Sequence, residues 1–365
     1  MVDVVLAGGG TAGHTSPLIA TAERIAEADP SGTLVAVGTE RGLETTVVPA
    51  AGLELQLIAP VPLPRNLTPE LLAVPGRLIK SIRQARRLLK QRGAQVVVGF
   101  GGYVSLPVYL AAASMGVPVV IHEQNALPGL ANKVAARFAK VVAASFPDTP
   151  LAGARYLGLP VRRGIAELDV AARRGPAREG FGLDPDRPTL LVSGGSQGAV
   201  RINHATEASR AELLAAGIQI LHVLGPKNIT EADQVITDPD TGARYVPVGY
   251  VNAMEDAYAA ADLMVGRSGA GTVMETATVG LPVIFVPFPH GNGEQSRNAR
   301  FLVDGNAGLL IDNADFDGPR MAAEVLRLFN DPQTLPAMSA ATRHLVPPDA
   351  AGKLARLALD AAQAA

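Results

Sequence analysis

Two glycine-rich turns, about one domain apart, constrain the fold of this chain more than any other feature. The first spans residues 8–14 and follows the apolar run 2–6, and the second spans residues 194–198 and follows the run 189–192. Each turn also precedes a segment with helical periodicity. A strand–turn–helix of this kind directs backbone N–H groups and the positive end of a helix at an anion. The two turns predict an α/β protein with two Rossmann-like, doubly wound parallel-sheet domains facing a cleft.

Alternating strands and helices support this prediction in both halves of the chain. The predicted strands are 2–6, 33–37, 95–99, 117–121, 141–144, 189–193, 219–223, 245–248, 262–265, 282–286 and 308–311. The helices of the first half are predicted at 15–28, 77–92, 105–115 and 129–139, with a connection over 40–76. Residues 163–188 have the Arg-, Gly-, Pro- and Asp-rich composition of a linker, and an Ala/Leu helix at 349–364 follows Pro347-Pro348. We therefore expect domains at 1–162 and 163–346, with residues 347–365 packing back on the first.

Composition excludes several classes of protein. The 365-residue chain has no cysteine, which excludes disulfides and thiolate metal sites, and its six histidines lack metal-ligand spacing. The longest apolar run, residues 108–121, is too short to cross a bilayer, so we expect a soluble or peripheral cytoplasmic protein. Residues 1–162 carry a net charge of +5 and residues 163–365 a net charge of −7, which suggests different partners for the two halves. Nucleic acid is not expected among them.

The first glycine turn allows more than one interpretation. Gly8-x-Gly10-x-x-Gly13 satisfies the dinucleotide fingerprint, with Glu40 as a candidate ribose ligand, but it is also compatible with a turn that only packs a helix on a strand. The P-loop interpretation fails because His14 stands where lysine is required. His14 lies in the first turn of the predicted helix, where the macrodipole favours the neutral imidazole. It is a candidate general base, or a histidine satisfied by the backbone.

The second turn resembles a nucleophile elbow, Gly194-x-Ser196-x-Gly198, with Asp262 and His290 downstream as triad candidates. Because it opens a second α/β unit, we expect Ser196 to donate to a phosphate instead. Asp184-Pro-Asp186 and Asp238-Pro-Asp240 have the Asp-x-Asp form of some metal-dependent sugar transferases, but turn chemistry explains both.

A third helix start lies at residues 267–275. Its small residues let a phosphate approach, and Glu275 is placed to accept both hydroxyls of a ribose, the alternative being an ion pair with Arg267. Residues 99–103 and 122–125 follow strands of the first half, at the sheet edge where ligands bind in open α/β folds.

The predicted helix 77–92 carries seven basic residues and no acidic one. It is either a surface helix that packs its apolar stripe on the sheet, or a docking face for an anionic membrane surface. Thr68-Pro69-Glu70 predicts a helix start before it, near Leu63, Leu67, Leu71 and Leu72. The candidate docking residues are Leu78, Ile79, Ile82, Arg77, Lys80 and Arg83.

Taken together, these motifs resemble those of the peptidoglycan N-acetylglucosaminyltransferases, which have the GT-B fold and form part of glycosyltransferase family 28. The resemblance rests on residues 8–14, 99–107, 122–132, 160–162, 194–199, 267–275 and 295–299, in family order. It implies an inverting transfer of N-acetylglucosamine (GlcNAc) from its UDP donor. The implied acceptor is the 4-hydroxyl of the MurNAc-pentapeptide of lipid I, on undecaprenyl diphosphate, and the product is lipid II.

The resemblance also implies roles for individual residues. His14 would be the catalytic base or position it. Acceptor contact would fall to Gly101, Gly102, Tyr103 and Glu123, with Gly13 and His14 near the lipid diphosphate. UDP-GlcNAc would be bound by Thr11, Ala12, Gly13, Asn125, Arg162, Ser196, Val251, Ala270, Gly271, Thr272, Val273, Met274, Glu275 and Gln295.

The implied setting is peptidoglycan synthesis, cell division and cell shape at the cytoplasmic face of the plasma membrane. No metal ligands and no tightly bound cofactor are expected, although a free divalent cation could stimulate the reaction, and other cell-wall synthesis proteins are candidate partners. The chain departs from the family pattern at Ala12, Leu106, Leu159 and Gly271. Three rival functions remain: a related GT-B enzyme with another acceptor, an NAD-dependent dehydrogenase, and an inert sugar-nucleotide sensor.

Overall fold

A computed structural model describes residues 1–61, 73–290 and 292–364. The chain divides into two compact units: the N-terminal unit comprises residues 1–162 together with 347–365, and the C-terminal unit comprises residues 163–346. The predicted helix start at 68–70 and the leucines 63, 67, 71 and 72 lie outside the described residues. None of the described helices is both long enough and apolar enough to cross a membrane.

The N-terminal unit contains a seven-stranded sheet in the order β3-β2-β1-β4-β5-β6-β7, with every neighbouring pair parallel. Its strands are β1 (Asp3–Ala7), β2 (Thr33–Gly38), β3 (Glu54–Leu57), β4 (Val96–Gly99), β5 (Val119–Glu123), β6 (Val141–Ala144) and β7 (Ala154–Tyr156). Its helices are α1 (Ala12–Ala28), α2 (Glu44–Ala50), α3 (Val74–Gln91), α4 (Ser105–Ser114) and α5 (Leu130–Ala135), followed at the chain's end by α14 (Ala350–Gln363).

Helices cover both faces of this sheet, because its central strands are apolar on both sides. Successive side chains of a strand point to opposite faces. Val4 and Leu6 of β1 therefore pack with α1 and α14, whereas Val5 and Ala7 pack with α3 and α4. Parallel strands buried on both faces have this continuous apolar character. Lys140 ties the end of α14 to the unit by donating to the carbonyls of Ala361 and Ala364.

The C-terminal unit has a second sheet, in the order β10-β11-β9-β8-β12-β13-β14. Its strands are β8 (Thr189–Ser193), β9 (Gln219–Val223), β10 (Ile236–Thr237), β11 (Arg244–Val248), β12 (Leu263–Gly266), β13 (Val283–Phe285) and β14 (Gly308–Leu310). Its helices are α6 (Arg163–Ala166), α7 (Val170–Gly180), α8 (Val200–Ala215), α9 (Met254–Ala260), α10 (Ala270–Val279), α11 (Glu294–Asp304), α12 (Gly318–Asn330) and α13 (Thr334–Leu345). β10 pairs antiparallel with β11, and the other pairs are parallel.

Two predictions from composition were wrong. Residues 40–76 are not a plain connection, since they contain α2, the edge strand β3 and the start of α3. Residues 163–180 are not a linker either, because α6 and α7 pack against α9. Arg178 of α7 is only 4% exposed; it donates to the carbonyls of Ala260 and Pro185 and to Asp262. Because Ala260 and Asp262 are far from Arg178 in the sequence, these hydrogen bonds show that this charged, proline-containing segment is part of the domain.

Candidate active site

Both units have a topological switch point, where the strand order reverses. Apart from β7 and β10, both sheets follow the 3-2-1-4-5-6 order, so the reversal lies between β1 and β4 in one unit and between β8 and β12 in the other. Ligands of open α/β sheets bind beyond the carboxyl ends of the strands at this point. The two glycine-rich turns follow β1 and β8, which places each beside a switch point.

In the N-terminal unit the turns after β1 and β4 touch. Gly101 and Gly102 both have a positive φ, 81° and 84°, which a residue with a side chain rarely adopts. A Cβ on Gly102 would lie 2.7 Å from the carbonyl oxygen of Gly9. The Ser105 hydroxyl donates to the carbonyls of Ala7, at 2.9 Å, and Gly101. Close backbone approach thus explains Gly102, whereas a Cβ at Gly99 would collide with the Tyr109 side chain and Gly101 is required by its positive φ.

His14 lies in the first turn of α1, half-buried against the neighbouring turn. Its Nδ1 is 2.9 Å from the Thr11 hydroxyl, and a Cβ on Gly101 would lie 3.5 Å from its Cδ2 and Nε2. Burial lowers the pKa of His14, and the charge of Glu44 and the Gly9 carbonyl partly oppose that shift. The imidazole is therefore neutral at pH 7, as a general base must be.

The carboxylate of Glu44 faces the first glycine turn from α2. It accepts from the Gly10 N–H at 2.8 Å, the Thr39 N–H at 2.9 Å and the Thr39 hydroxyl at 3.1 Å. The Gly10 N–H thus has its hydrogen-bond partner within the protein, the Glu44 carboxylate. Glu40, the ribose ligand in the dinucleotide interpretation, is exposed. Glu44 was missed because the sequence only shows two acids after β2, without indicating which one folds inward.

A buried polar network supports the turn after β4. Glu123, at the end of β5, is 2% exposed and accepts from the Asn125 and Gly129 N–H groups and from the Asn132 amide. Tyr109 donates to Asn132 Oδ1 at 3.0 Å and accepts from the Gly101 N–H at 3.1 Å. Burial raises the pKa of both Glu123 and Tyr109.

The predicted acceptor residues therefore differ in accessibility. Tyr103 is 54% exposed on the turn beside His14. Glu123 is enclosed, with hydrogen bonds at both carboxylate oxygens, so it positions the loop that carries Asn125. Thr11, Ala12 and Gly13 are exposed at the start of α1.

Two departures from the family pattern have a structural explanation. Ala12 is the first residue of α1 and does not have a positive φ, so a methyl group is tolerated where glycine is usual. Leu106 is half-buried and packs its side chain on the core beneath α4.

In the C-terminal unit a cavity of about 420 Å³ opens between the second glycine turn and the start of α10. Gly195 and Gly198 have positive φ, and Ser196 is exposed on this turn. The lining includes Gly194, Thr272 and Gln295, so the cavity contains parts of three predicted donor motifs. A concave site with exposed N–H groups at a helix start is suited to a diphosphate.

Arg267 and Glu275 do not form the ion pair considered above. The Arg267 Nη1 atom donates to the carbonyls of Val286 and Pro287 and to Asn313 Oδ1, and the guanidinium lies over Phe288. Burial lowers the pKa of Arg267. Arg267 thus stabilises the loop after β13 through hydrogen bonds to its backbone.

The other predicted donor residues differ in what they can offer a ligand. Glu275 is half-buried and accepts from the Tyr258 hydroxyl at 2.8 Å. Gln295 accepts from the Phe288 N–H at 2.9 Å. Val273 and Met274 are fully buried, so only their backbone is available to a ligand. Val251 is 8% exposed, and Arg162 belongs to the N-terminal unit.

The structure excludes the hydrolase interpretation. Asp262 precedes β12 and accepts from Arg178 Nη2 at 2.7 Å and from the Thr189 N–H at 2.8 Å, at the opposite end of the sheet from Ser196. Asp184 and Asp238 accept from backbone N–H groups of their own turns, which confirms the turn interpretation. Within the described ranges, no group of three or more His, Asp or Glu side chains could hold a metal ion.

On α3 the apolar residues are not equivalent. Ala85 and Leu89 are buried, and Ile82 packs partly buried against the same core. Ile79 is 50% exposed, and Arg77, Lys80 and Arg83 are exposed around it, while Leu78 is half-buried.

Twin Rossmann-like sheets, each with a glycine-rich turn at its switch point, have the topology of the GT-B fold. The N-terminal domain model of glycosyltransferase family 28 matches residues 4–144, and the C-terminal domain model matches residues 189–354. The chain therefore belongs to glycosyltransferase family 28, which confirms the resemblance found in its motifs.

Individual relatives support this assignment. The chain is 59% identical over 368 residues to a Cutibacterium acnes protein named UDP-N-acetylglucosamine--N-acetylmuramyl-(pentapeptide) pyrophosphoryl-undecaprenol N-acetylglucosamine transferase, covering 99% of this chain and 98% of the relative. A Nocardioides sp. protein with the same name is 52% identical, covering 98% and 97%. Among solved structures, Acinetobacter baumannii MurG has a TM-score of 0.80 at 28% identity, covering 99% of this chain and 100% of that one.

Proposed function

We propose that this chain transfers GlcNAc from UDP-GlcNAc to the 4-hydroxyl of the MurNAc-pentapeptide of undecaprenyl-diphosphate lipid I, with inversion, to form lipid II. The observation that carries the proposal is the 59% identity, over nearly the full length of both chains, to a transferase named for this reaction. The neutral imidazole at one switch point and the cavity at the other supply the groups that the reaction needs.

The C-terminal unit binds the UDP part of the donor. The diphosphate lies at the second glycine turn and the start of α10, where Ser196, Ala270, Gly271 and Thr272 offer a hydroxyl and backbone N–H groups. Glu275 accepts the ribose hydroxyls. Val251, Val273 and Met274 contribute backbone contacts, and Gln295, Arg162 and Asn125 complete the donor site together with Thr11, Ala12 and Gly13 near the sugar.

The chemical step is a single displacement. His14 takes the proton of the acceptor 4-hydroxyl, and the oxygen attacks the anomeric carbon of GlcNAc as its bond to the UDP oxygen breaks. The N–H groups and the positive end of α10 stabilise the charge that develops on the departing diphosphate. Attack opposite the leaving group inverts the configuration at the anomeric carbon. A free divalent cation, if bound to the diphosphate, would supply further neutralisation of its charge, and no protein side chain is assigned to hold it.

The N-terminal unit binds the acceptor. Gly101, Gly102 and Tyr103 form the turn beside His14, on which Tyr103 is exposed, and the lipid diphosphate is bound at this turn with Gly13. Glu123 acts through the buried network that holds this turn and its neighbouring loop, rather than by touching the acceptor.

The protein works as a peripheral protein at the cytoplasmic face of the plasma membrane. The exposed side chain of Ile79 inserts at the lipid interface while Arg77, Lys80 and Arg83 meet anionic headgroups, with Leu78 and Ile82 behind them. Lipid II formation at this face links the chain to cell division and cell shape, with other cell-wall synthesis proteins as partners.

The testing experiment is an acceptor competition assay with UDP-GlcNAc as the donor. A lipid I analogue is expected to gain one β-linked GlcNAc and to release UDP, and a soluble MurNAc sugar or a different lipid-linked sugar is expected to compete poorly. Transfer only to another acceptor would indicate a related GT-B enzyme, and binding without turnover would indicate a sensor. Protection against heat by NAD but not by UDP-GlcNAc would support a dehydrogenase.

A further inference from the structure

Three glycines, Gly9 after β1, Gly38 at the end of β2 and Gly42 in the loop after β2, make room for the side chain of Glu44. A Cβ on Gly9, in the turn after β1, would lie 2.5 Å from Glu44 Oε1, and a Cβ on Gly38 or Gly42 would collide with the same side chain. Glu44 is itself only 1% exposed. A buried carboxylate is costly unless donors surround it. The site is thus shaped around one internal anion.

The donors to Glu44 come from the turns after β1 and β2. Gly10 supplies one N–H, and Thr39 supplies its N–H and its hydroxyl. Burial alone would raise the pKa of Glu44, but these hydrogen bonds outweigh burial and lower that pKa. The carboxylate is therefore ionised and joins the first glycine turn to the loop after β2.

This connection reaches His14 in two ways. Gly10, whose N–H donates to Glu44, directly precedes Thr11, whose hydroxyl lies 2.9 Å from His14 Nδ1. Titratable side chains on the surrounding elements are Glu44 on α2, Tyr103 and Tyr109 after β4, and Glu123 at the end of β5. Among these, the Glu44 charge raises the pKa of His14, against the larger effect of burial.

We propose that Glu44 is a positioning residue for the transfer reaction: as an internal anion it fixes the first glycine turn and orients His14 for proton abstraction. This inference rests on the proposed function for its turnover readout. It also changes the role of the first turn, because the Gly10 N–H serves the protein's own carboxylate and not the donor phosphates. The two glycine turns then have different roles: the first positions the base, and the second binds the diphosphate of the donor.

The test compares Glu44→Gln with the control Glu40→Gln, which removes the same charge from an exposed position four residues earlier in the chain. The side-chain amide of glutamine has one acceptor oxygen and one donor nitrogen. Its NH₂ group would therefore face the N–H of either Gly10 or Thr39, and that hydrogen bond would be lost. We expect kcat to fall about 10- to 100-fold, with a smaller change in the KM for UDP-GlcNAc, because a displaced base costs turnover more than donor binding.

The pH profile separates positioning of His14 from a general structural effect. Removing the Glu44 charge favours the neutral imidazole, so the acid limb of kcat/KM moves to lower pH in Glu44→Gln and stays in place in Glu40→Gln. Glu44→Asp keeps the charge but has a shorter reach. It should keep the acid limb near that of the wild type while losing part of kcat.

A readout without turnover keeps this inference separate from the proposed function. The His14 imidazole can be titrated by NMR in the full chain, assigned by its absence in His14→Asn. A wild type that transfers no GlcNAc would refute the proposed function, and the titration would still decide whether Glu44 acts on His14. If Glu44→Gln does not fold, Thr39→Val removes one donor and should lower kcat about threefold. Folded variants with wild-type kcat, acid limb and titration would overturn the proposal.

Discussion

Deleting one buried oxygen atom should measure how much the hydrogen-bond network behind the acceptor turn, residues 101–103, contributes to stability and to turnover. Tyr109→Phe removes a hydroxyl that donates to Asn132 Oδ1 and accepts from the Gly101 N–H, with almost no change in volume. Burial raises the Tyr109 pKa, so the wild-type side chain stays neutral over the working pH range. The variant loses two hydrogen bonds and leaves one buried donor and one buried acceptor without a partner.

The expected cost is about 2–6 kcal/mol in the free energy of unfolding, because each of the two unsatisfied buried groups costs about 1–3 kcal/mol. For a unit of this size the thermal midpoint should fall by roughly 2–4 °C per kcal/mol. The Gly101 turn lies against His14, so kcat should also fall, by about tenfold, with donor affinity unchanged.

Denaturant unfolding and steady-state kinetics on the same preparation provide the assay. Tyr250→Phe is the matched control, since it removes the same atom from a side chain that is 57% exposed and should cost less than about 0.5 kcal/mol. A double-mutant cycle with Asn132→Ala should show a coupling of about 1 kcal/mol. Tyr109→Phe with wild-type stability and kcat would refute the claim that this network holds the acceptor turn.

Two further predictions concern pH and the membrane. Burial lowers the pKa of His122 and of His222 from 6.5 to about 4, so below pH 6.5 the unfolded chain binds protons that the folded chain does not. The free energy of unfolding should therefore fall from pH 6.5 towards pH 4, by up to about 3 kcal/mol per histidine, and His222→Gln should flatten this dependence in urea titrations. Ile79→Ser should weaken binding to anionic vesicles about fivefold, since the half-exposed side chain has about 1 kcal/mol of burial to gain. Ile82→Ser should mainly cost stability; equal loss of vesicle binding by both would contradict the division of α3 into a packing face and a docking face.

Patterns local to the chain predicted most of the fold. The central strands of both sheets, such as β1, β4, β8 and β12, were found within a few residues because they are buried on both faces and form continuous apolar runs in the sequence. The short edge strands β3, β7 and β10 were missed, since Glu54, Arg155 and Ile236 are exposed and these strands lack that signal. α7 was taken for a linker because its partners, such as Ala260 and Asp262 for Arg178, lie about 80 residues away.

The candidate site was predictable only where backbone geometry requires particular residues. Gly101 and Gly102 mark a close approach of two turns, and His14 marks a helix start. Whether an acid faces a ligand or the protein's own backbone depends on tertiary contacts, which no spacing in the sequence encodes. Glu44 is such an acid, enclosed by donors from the turns after β1 and β2, whereas the donors to Glu123 lie in the loop and helix that directly follow it.

The central claim is that His14 of the N-terminal unit performs the chemistry while the C-terminal unit holds the donor. Its most direct test is a paired measurement on His14→Ala: kcat with a lipid I analogue, and the Kd for UDP-GlcNAc by calorimetry. The account predicts that kcat falls by about 10²- to 10⁴-fold and that Kd stays close to the wild-type value. Unchanged turnover, or turnover lost together with donor binding, would contradict it.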